Sequence, residues 1–187
     1  MEKQKKQDNG ATKKAKISTM KIVLCGLFAA LCCVSTMIIK IPSPTQGYAH
    51  IGDGMVIISG IVLGPVFGGL AAGIGSMLAD VFSGYFIYAP ATFVIKFLCA
   101  LFSGICYHKL VKKGAKALKK LMAALLGGLA SEVTMVVLYL AFECVLYGVG
   151  GAVPGILSNV GQGLVGIVIA LLLVIPLSNI SAKLKQE

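Results

Sequence analysis

Residues 51–85 read IGDGMVIISGIVLGPVFGGLAAGIGSMLADVFSGY. Two apolar segments that each contain several glycines flank the pair Gly64-Pro65, which predicts a tight turn between a short helix and a longer one. Asp53 lies at the start of the first segment and Asp80 near the end of the second. Because charges within apolar helices are costly, this stretch predicts two membrane helices that carry polar groups on one side of the bilayer.

The composition of the whole chain is that of a membrane protein. Of its 187 residues, 57% are hydrophobic and 13% are charged, and the mean hydropathy is +0.91; soluble domains carry about a quarter charged residues. Hydrophobic runs bounded by glycine, proline and charge predict helices at 18–39, 53–64, 66–84, 91–110, 120–147 and 153–177. The predicted fold class is all-α integral membrane, a single six-transmembrane-helix bundle over residues 17–187.

The lysines predict the orientation of this bundle. All 17 basic residues are lysines, and most of them cluster at 3–21, 109–120 and 183–185. Because cytoplasmic loops carry an excess of lysine, both termini and the loop after the fourth helix are predicted to be cytoplasmic. Residues 1–16 are predicted to form a disordered cytoplasmic lysine-rich arm. Lysines at membrane edges argue against a nucleic-acid partner, although the formal net charge is +10.

Polar residues of the predicted helices converge on the outer half of the bundle. At 1.5 Å of rise per residue, Asp80 and Lys96 lie roughly 6 and 9 Å below the outer edge. Asn159 and Gln162 are three residues apart and share one helical face, and tyrosines in the outer loops are suited to close over a flat ring. The candidate ligand-binding residues are Lys96, Glu132, Glu143, Asn159, Gln162, Asp80, Tyr48, His50, Tyr85 and Tyr88.

Asp53 and several of the candidate residues also have a structural interpretation. Asp53 fits an N-cap, and Lys96 fits a buried ion pair with Asp80 or Glu132 that fixes helix register. The tyrosines fit an interfacial aromatic belt, and His50 fits a solvated loop.

The sequence does not predict an enzyme or a metal site. GxSxG, HExxH and Walker lysine motifs are absent from the sequence. The six cysteines lie in apolar runs without a CxxC pair, which predicts buried thiols.

Three stretches carry a family resemblance: residues 51–85, IYAPATFVIKFLCALFSG at 87–104, and NVGQGLVG at 159–166. From about Met20 to Ile180 the chain resembles the substrate-binding (S) component of energy-coupling factor (ECF) vitamin transporters. The resembling branch is labelled riboflavin-type and includes proteins assigned to hydroxymethylpyrimidine or pyridoxine. The resemblance implies a multi-pass protein of the bacterial plasma membrane that captures a vitamin from outside.

The resemblance also implies partners. They are a transmembrane coupling subunit and two ABC ATPases, which use the ATP, whereas this chain binds no cofactor. The first helix would dock on the coupling subunit through Gly26 and Ala30, with Ala29 and Cys33 on the adjoining stripe. Residues 41–52 would form a lid, and the loaded component would topple within the bilayer to release its ligand.

The ligand is less sharply defined than the family. The polar candidates suit a small, flat heterocycle, so pyridoxine or hydroxymethylpyrimidine is the first choice. Riboflavin and pantothenate are alternatives for the ligand. A self-sufficient carrier or channel is the alternative for the whole function.

Overall fold

The computed structural model describes residues 18–42, 48–112 and 114–184, which form helices and one short β-hairpin. The helices are α1 (Thr19–Ile38), α2 (Asp53–Leu63), α3 (Pro65–Phe82), α4 (Ala89–Leu110) and α5 (Ala117–Leu184). Strands β1 (Lys40–Pro42) and β2 (Tyr48–His50) pair antiparallel. The predicted disordered arm and the middle of the predicted lid, residues 43–47, lie outside the described residues.

Helix α5 consists of two helices joined at Gly148. This residue has φ 72° and ψ 169°, which interrupts the helical backbone. The arms on either side contact each other: Gly128 approaches Ile167, and Lys120 Nζ donates to Ser178 Oγ at 3.0 Å. Because the two residues of each pair are nearly equidistant from Gly148 along the chain, the arms are antiparallel.

The predicted boundaries in this region need three corrections. Helix α5 begins at Ala117, three residues before the predicted start at 120. The predicted loop at 148–152 is helical except at Gly148, and the second arm continues past the predicted end at 177 to Leu184 with Pro176 inside it. Within a membrane every exposed backbone group needs a hydrogen-bond partner, so helices persist through proline and short glycine-rich stretches that would end them in water.

The short helix α2 lies at the centre of the bundle. All of its residues except Met55 are buried, and it contacts α1, α3, α4 and α5. The backbones approach closely there: a Cβ added at Gly104 would lie 2.6 Å from the carbonyl oxygen of Gly60, and one at Gly166 would lie 2.7 Å from Asp53 Cβ. Small residues permit such contacts in lipid, where packing replaces the hydrophobic effect. This packing fixes the start of α2 against the second arm of α5.

The turn predicted between α2 and α3 is confirmed. Gly64 has φ 88°, a conformation that glycine adopts without strain. Pro65 then begins α3, a position at which its fixed φ favours the helix.

Large apolar side chains cover the outside of the bundle. Four helices in the part of the chain that the structure describes are long and apolar enough to cross a membrane, namely α1, α3, α4 and α5. This count takes the two arms of α5 as one span, and α2 is a shorter apolar helix. Val145, Leu157 and Leu172 are 85%, 82% and 73% exposed. Apolar surface of this extent is stable against lipid and not against water. The six cysteines are free thiols.

Candidate functional site

An ion pair between Asp53 and Lys96 lies deep in the bundle. Asp53 is the first residue of α2, Lys96 lies in the first half of α4, and their side chains are 2% and 0% exposed. Lys96 Nζ also lies 2.9 Å from Met135 Sδ and 5.5 Å from the ring centroid of Tyr139. Either charge alone would be costly at this depth, so each holds the other in place.

This pairing corrects two interpretations of the sequence. The partner of Lys96 is Asp53, and neither Asp80 nor Glu132. Asp53 is also not an N-cap, because Gly52 occupies that position and α2 has no side-chain capping bond. The depth of a residue along its own helix does not reveal which neighbouring helix it faces.

Gln162 joins the ion pair to the β-hairpin. Its Nε2 donates to Asp53 Oδ2 at 2.6 Å, and its Oε1 accepts a hydrogen bond from the backbone N–H of His50 at 2.9 Å. His50 Nδ1 in turn accepts from the backbone N–H of Gly52 at 3.0 Å. One side-chain amide therefore connects α2, the second arm of α5 and β2.

A second set of contacts holds the hairpin at the end of α3. The Tyr48 hydroxyl donates to Asp80 Oδ1 at 2.7 Å, and its ring centroid lies 4.7 Å from that of Tyr85. Lys40 of β1 donates to Ser83 Oγ, and its Nζ lies 5.2 Å from the centroid of the Tyr48 ring. The two strands thus cover the bundle as a tethered lid.

A polar cavity lies under this lid. The empty volume of the cavity is about 430 Å³ when its open mouth is included. Only about 30 Å³ is wide enough to hold the centre of a water molecule, so the side chains nearly fill the cavity. Its lining consists of Tyr48, His50, Asp80, Tyr85, Tyr88, Thr92, Tyr139, Glu143, Asn159 and Gln162. Two carboxyl groups and four tyrosines face this space, and the lining has no lysine. A concave site with several convergent polar groups is typical of ligand binding.

Eight of the ten predicted ligand-binding residues belong to this lining. Lys96 lies behind Tyr139 in the ion pair, and Glu132 lines a separate groove between the arms of α5. Thr92 and Tyr139, whose hydroxyl oxygens are 2.9 Å apart, complete the cavity and were not predicted. A signal was present, because Thr92 precedes Lys96 by four residues and Tyr139 precedes Glu143 by four, so each shares a helical face with a predicted residue.

The residues predicted to dock a partner lie on two faces of α1. Gly26 and Ala30 are exposed, and a Cβ added at Gly26 would meet nothing within 4 Å. Gly75 of α3 packs against the carbonyl oxygen of Ala29, and Cys33 is 9% exposed. Gly26 and Ala30 are thus accessible from the membrane, whereas Ala29 and Cys33 pack within the chain.

These features define a multi-pass membrane protein with a polar cavity at one end of its helices. The sequence matches the family described as ECF-type riboflavin transporter, S component, over residues 16–179. The chain therefore belongs to this family of membrane-embedded, vitamin-binding subunits, which confirms the resemblance carried by its sequence. It is also similar to a protein from Pyrococcus woesei described as an uncharacterized protein in a gap 3' region, with 38% identity over 137 residues that cover 73% of this chain and 86% of that protein.

A double-mutant cycle tests the buried ion pair. Lys96→Met and Asp53→Asn should each lower the free energy of unfolding by about 3–5 kcal/mol, because each leaves one charge buried without its partner. The double variant should lose much less than the sum of the two. Denaturant unfolding in one detergent, followed by circular dichroism, measures all four proteins. Additive losses would contradict a direct interaction between the two charges.

The free energy of unfolding should depend on pH through His50, which lies on β2 outside the membrane-spanning helices. Burial lowers the pKa of His50 to about 4, from 6.5 in an exposed histidine. The unfolded chain therefore binds more protons as the pH falls from 6.5 towards 4, and the folded state loses stability in that window. We expect this group to reduce the free energy of unfolding by about 1–2 kcal/mol between pH 7.5 and pH 5.

Thermal unfolding of the wild type and His50→Asn at both pH values measures this contribution. Carboxyl groups titrate in both proteins, so the difference between them isolates His50. The variant should lose less stability than the wild type on acidification. Equal losses would show that His50 is not held neutral by the fold.

Proposed function

We propose that this chain captures a small, flat, water-soluble vitamin from outside the cell and presents it to an ATP-driven uptake complex. The observation that carries the proposal is the polar cavity beneath the lid, where tyrosine, carboxyl and amide side chains from three helices and the hairpin meet. Membership of the S-component family supports the same function. Because the side chains nearly fill the cavity, entry of a ligand requires the lid to open.

The charges of the cavity define the class of ligand. Asp80 and Glu143 line it, while the nearby Lys96 is already engaged by Asp53. A carboxylate ligand such as pantothenate would meet two acidic groups and no lysine among the lining residues. A neutral or cationic ring with hydroxyl or amino donors would instead pair with the carboxyl and amide oxygens. Pyridoxine or hydroxymethylpyrimidine fits this description.

Riboflavin is the second candidate. The family description names riboflavin, and the four cavity tyrosines offer aromatic faces for an isoalloxazine ring. Its hydroxylated chain would supply donors for Asp80 and Glu143. The single-ring vitamins rank first because the enclosed space is small.

The proposed topology has six membrane segments, namely α1 to α4 and the two arms of α5, with both termini in the cytoplasm. The lysines at 109–120 then lie on the cytoplasmic side, and the cavity faces outside. At the opposite end of the bundle from the cavity, Leu63, Tyr107 and Ala123 belong to a packed apolar core. A closed apolar core favours a binding subunit over a self-sufficient carrier or channel.

The proposed partners are a transmembrane coupling subunit and two ABC ATPases that use ATP, in the plasma membrane. We place the docking surface on the exposed face of α1 around Gly26 and Ala30. Small residues there would let a partner helix approach closely. Release of the vitamin would follow from reorientation of the whole subunit against that partner.

Calorimetric titration of the purified chain tests the ligand. Pyridoxine or hydroxymethylpyrimidine should bind most tightly, riboflavin more weakly, and pantothenate least. Tyr139→Phe should weaken binding about three- to tenfold, because it removes a hydroxyl donor from the cavity. Tyr107→Phe is the matched control, since it removes a buried hydroxyl from the far end of α4 and should leave affinity unchanged.

Either of two results would count against this assignment. Failure of the folded protein to bind any of the four compounds would reject the ligand class. Equal weakening by both tyrosine variants would reject the cavity as the binding site.

Co-purification with the coupling subunit tests the docking surface. Gly26→Leu should abolish co-purification and leave vitamin binding intact, because the added side chain blocks close approach on the lipid-facing side of α1. Gly161→Leu is the matched control, as Gly161 is also exposed on a helix and has nothing within 4 Å of an added Cβ. Normal assembly of Gly26→Leu would refute this surface.

A further inference from the structure

A second concave site lies on the membrane-facing side of α5, in the groove between its two arms. About 270 Å³ of this groove admits the centre of a water-sized sphere. Eight of the nine residues that line it are apolar or glycine, and Glu132 is the ninth. Val133 and Leu164 of the lining are 63% and 60% exposed, so the groove opens sideways towards lipid. It shares no lining residue with the cavity under the lid.

Within the described part of the chain, Glu132 places a carboxyl oxygen without a hydrogen-bond partner in the wall of this groove. The residue is 8% exposed, and its Oε2 is buried without a hydrogen-bond partner among the described residues. The carboxyl group lies against Gly163, where an added Cβ would be 2.5 Å from Oε2. Glu132 is midway between Ala117 and Gly148, so it lies about 23 Å from either end of the arm. Head groups and bulk water are therefore out of reach.

The ion pair does not satisfy this carboxyl group. Lys96 is close enough to interact with Glu132 electrostatically, but its hydrogen bonds go to Asp53 and Met135. A buried polar group without a partner destabilises the folded state, because it has lost its hydrogen bonds to water without replacement. A molecule that brought a hydrogen-bond donor to Glu132 would offset part of this destabilisation.

We propose that the groove binds a small membrane-dissolved molecule with a compact apolar body and one hydroxyl or amino group, which donates a hydrogen bond to Glu132. The apolar lining favours a molecule with an apolar body, and the single carboxyl group favours a molecule with a single hydrogen-bond donor. The limited volume of the groove, about 270 Å³, favours a compact body. The occupant enters from the bilayer through the opening between the arms, independently of the lid.

Protection from a lipid-soluble carbodiimide tests this site on the purified full chain. Dicyclohexylcarbodiimide modifies protonated carboxyl groups in apolar surroundings, so it should label Glu132, as located by peptide mass spectrometry. 1-Adamantanol is the probe, and adamantane is its matched control without a hydroxyl group. When each compound is titrated by its mole fraction in the micelle, 1-adamantanol should halve the labelling rate at a mole fraction at least fivefold lower than adamantane does.

Paired glycine variants locate the protection in the groove. Gly163→Val fills the space beside Glu132 and should remove the effect of 1-adamantanol on the labelling rate. Gly161→Val, two residues earlier where an added Cβ meets nothing within 4 Å, should keep it. Saturation with the vitamin should leave labelling of Glu132 unchanged, so failure of this site and failure of the vitamin site are distinguishable.

Three results would overturn the proposal. One is absence of labelling at Glu132 in the folded wild type, which would mean that Lys96 keeps the carboxyl group ionised and structural. Another is equal protection by 1-adamantanol and adamantane, which would mean that Glu132 recognises no donor. The third is loss of labelling only in the complex with the coupling subunit, without protection by 1-adamantanol in the isolated chain, which would assign the groove to a protein partner.

Discussion

The ion pair between Asp53 and Lys96 is the constraint on which the rest of this structure depends. It lies where α2, α4 and the second arm of α5 meet, and both side chains are almost fully buried. In such a setting neither charge tolerates separation from the other. The pair therefore fixes the register of the central helix. Gly166 packs closely against Asp53 and so leaves no space for the start of α2 to shift.

The same pair links the interior of the bundle to its lid. Asp53 accepts from Gln162, and Gln162 accepts from the backbone of His50, so the lid is attached to a fixed point. The other attachment consists of two hydrogen bonds between side chains, from Tyr48 to Asp80 and from Lys40 to Ser83. A ligand that competes for Asp80 or Gln162 would loosen the lid, while the ion pair beneath would keep the helices in place. The ion pair thus holds the helices in place, while the adjacent hydrogen bonds hold the β-hairpin.

The sequence was informative about segments and less informative about contacts between them. Hydrophobic runs located the ends of α1 to α4 to within two residues, because length and punctuation are properties of one segment. The partner of Lys96 was missed because helical periodicity shows which residues share a face and not which helix that face meets. The extent of α5 was misjudged because glycine and proline end helices in water more readily than in lipid. Thr92 and Tyr139 could have been predicted from the sequence, because each lies four residues from a predicted site residue and shares a helical face with it.

The two ends of the bundle differ in polarity, which bears on how the proposed ligand would be released. The lidded end offers carboxyl, amide and hydroxyl groups, whereas Leu63, Tyr107 and Ala123 close the other end with apolar packing. A polar ligand that crossed this core would lose its hydrogen bonds without replacement, at a cost of several kcal/mol for each group. Under the proposed function, movement of the whole subunit would keep those bonds intact until the cavity reached the other side. The accessible glycine and alanine on α1 are consistent with such movement, because a surface of small residues lets a partner helix slide in close contact.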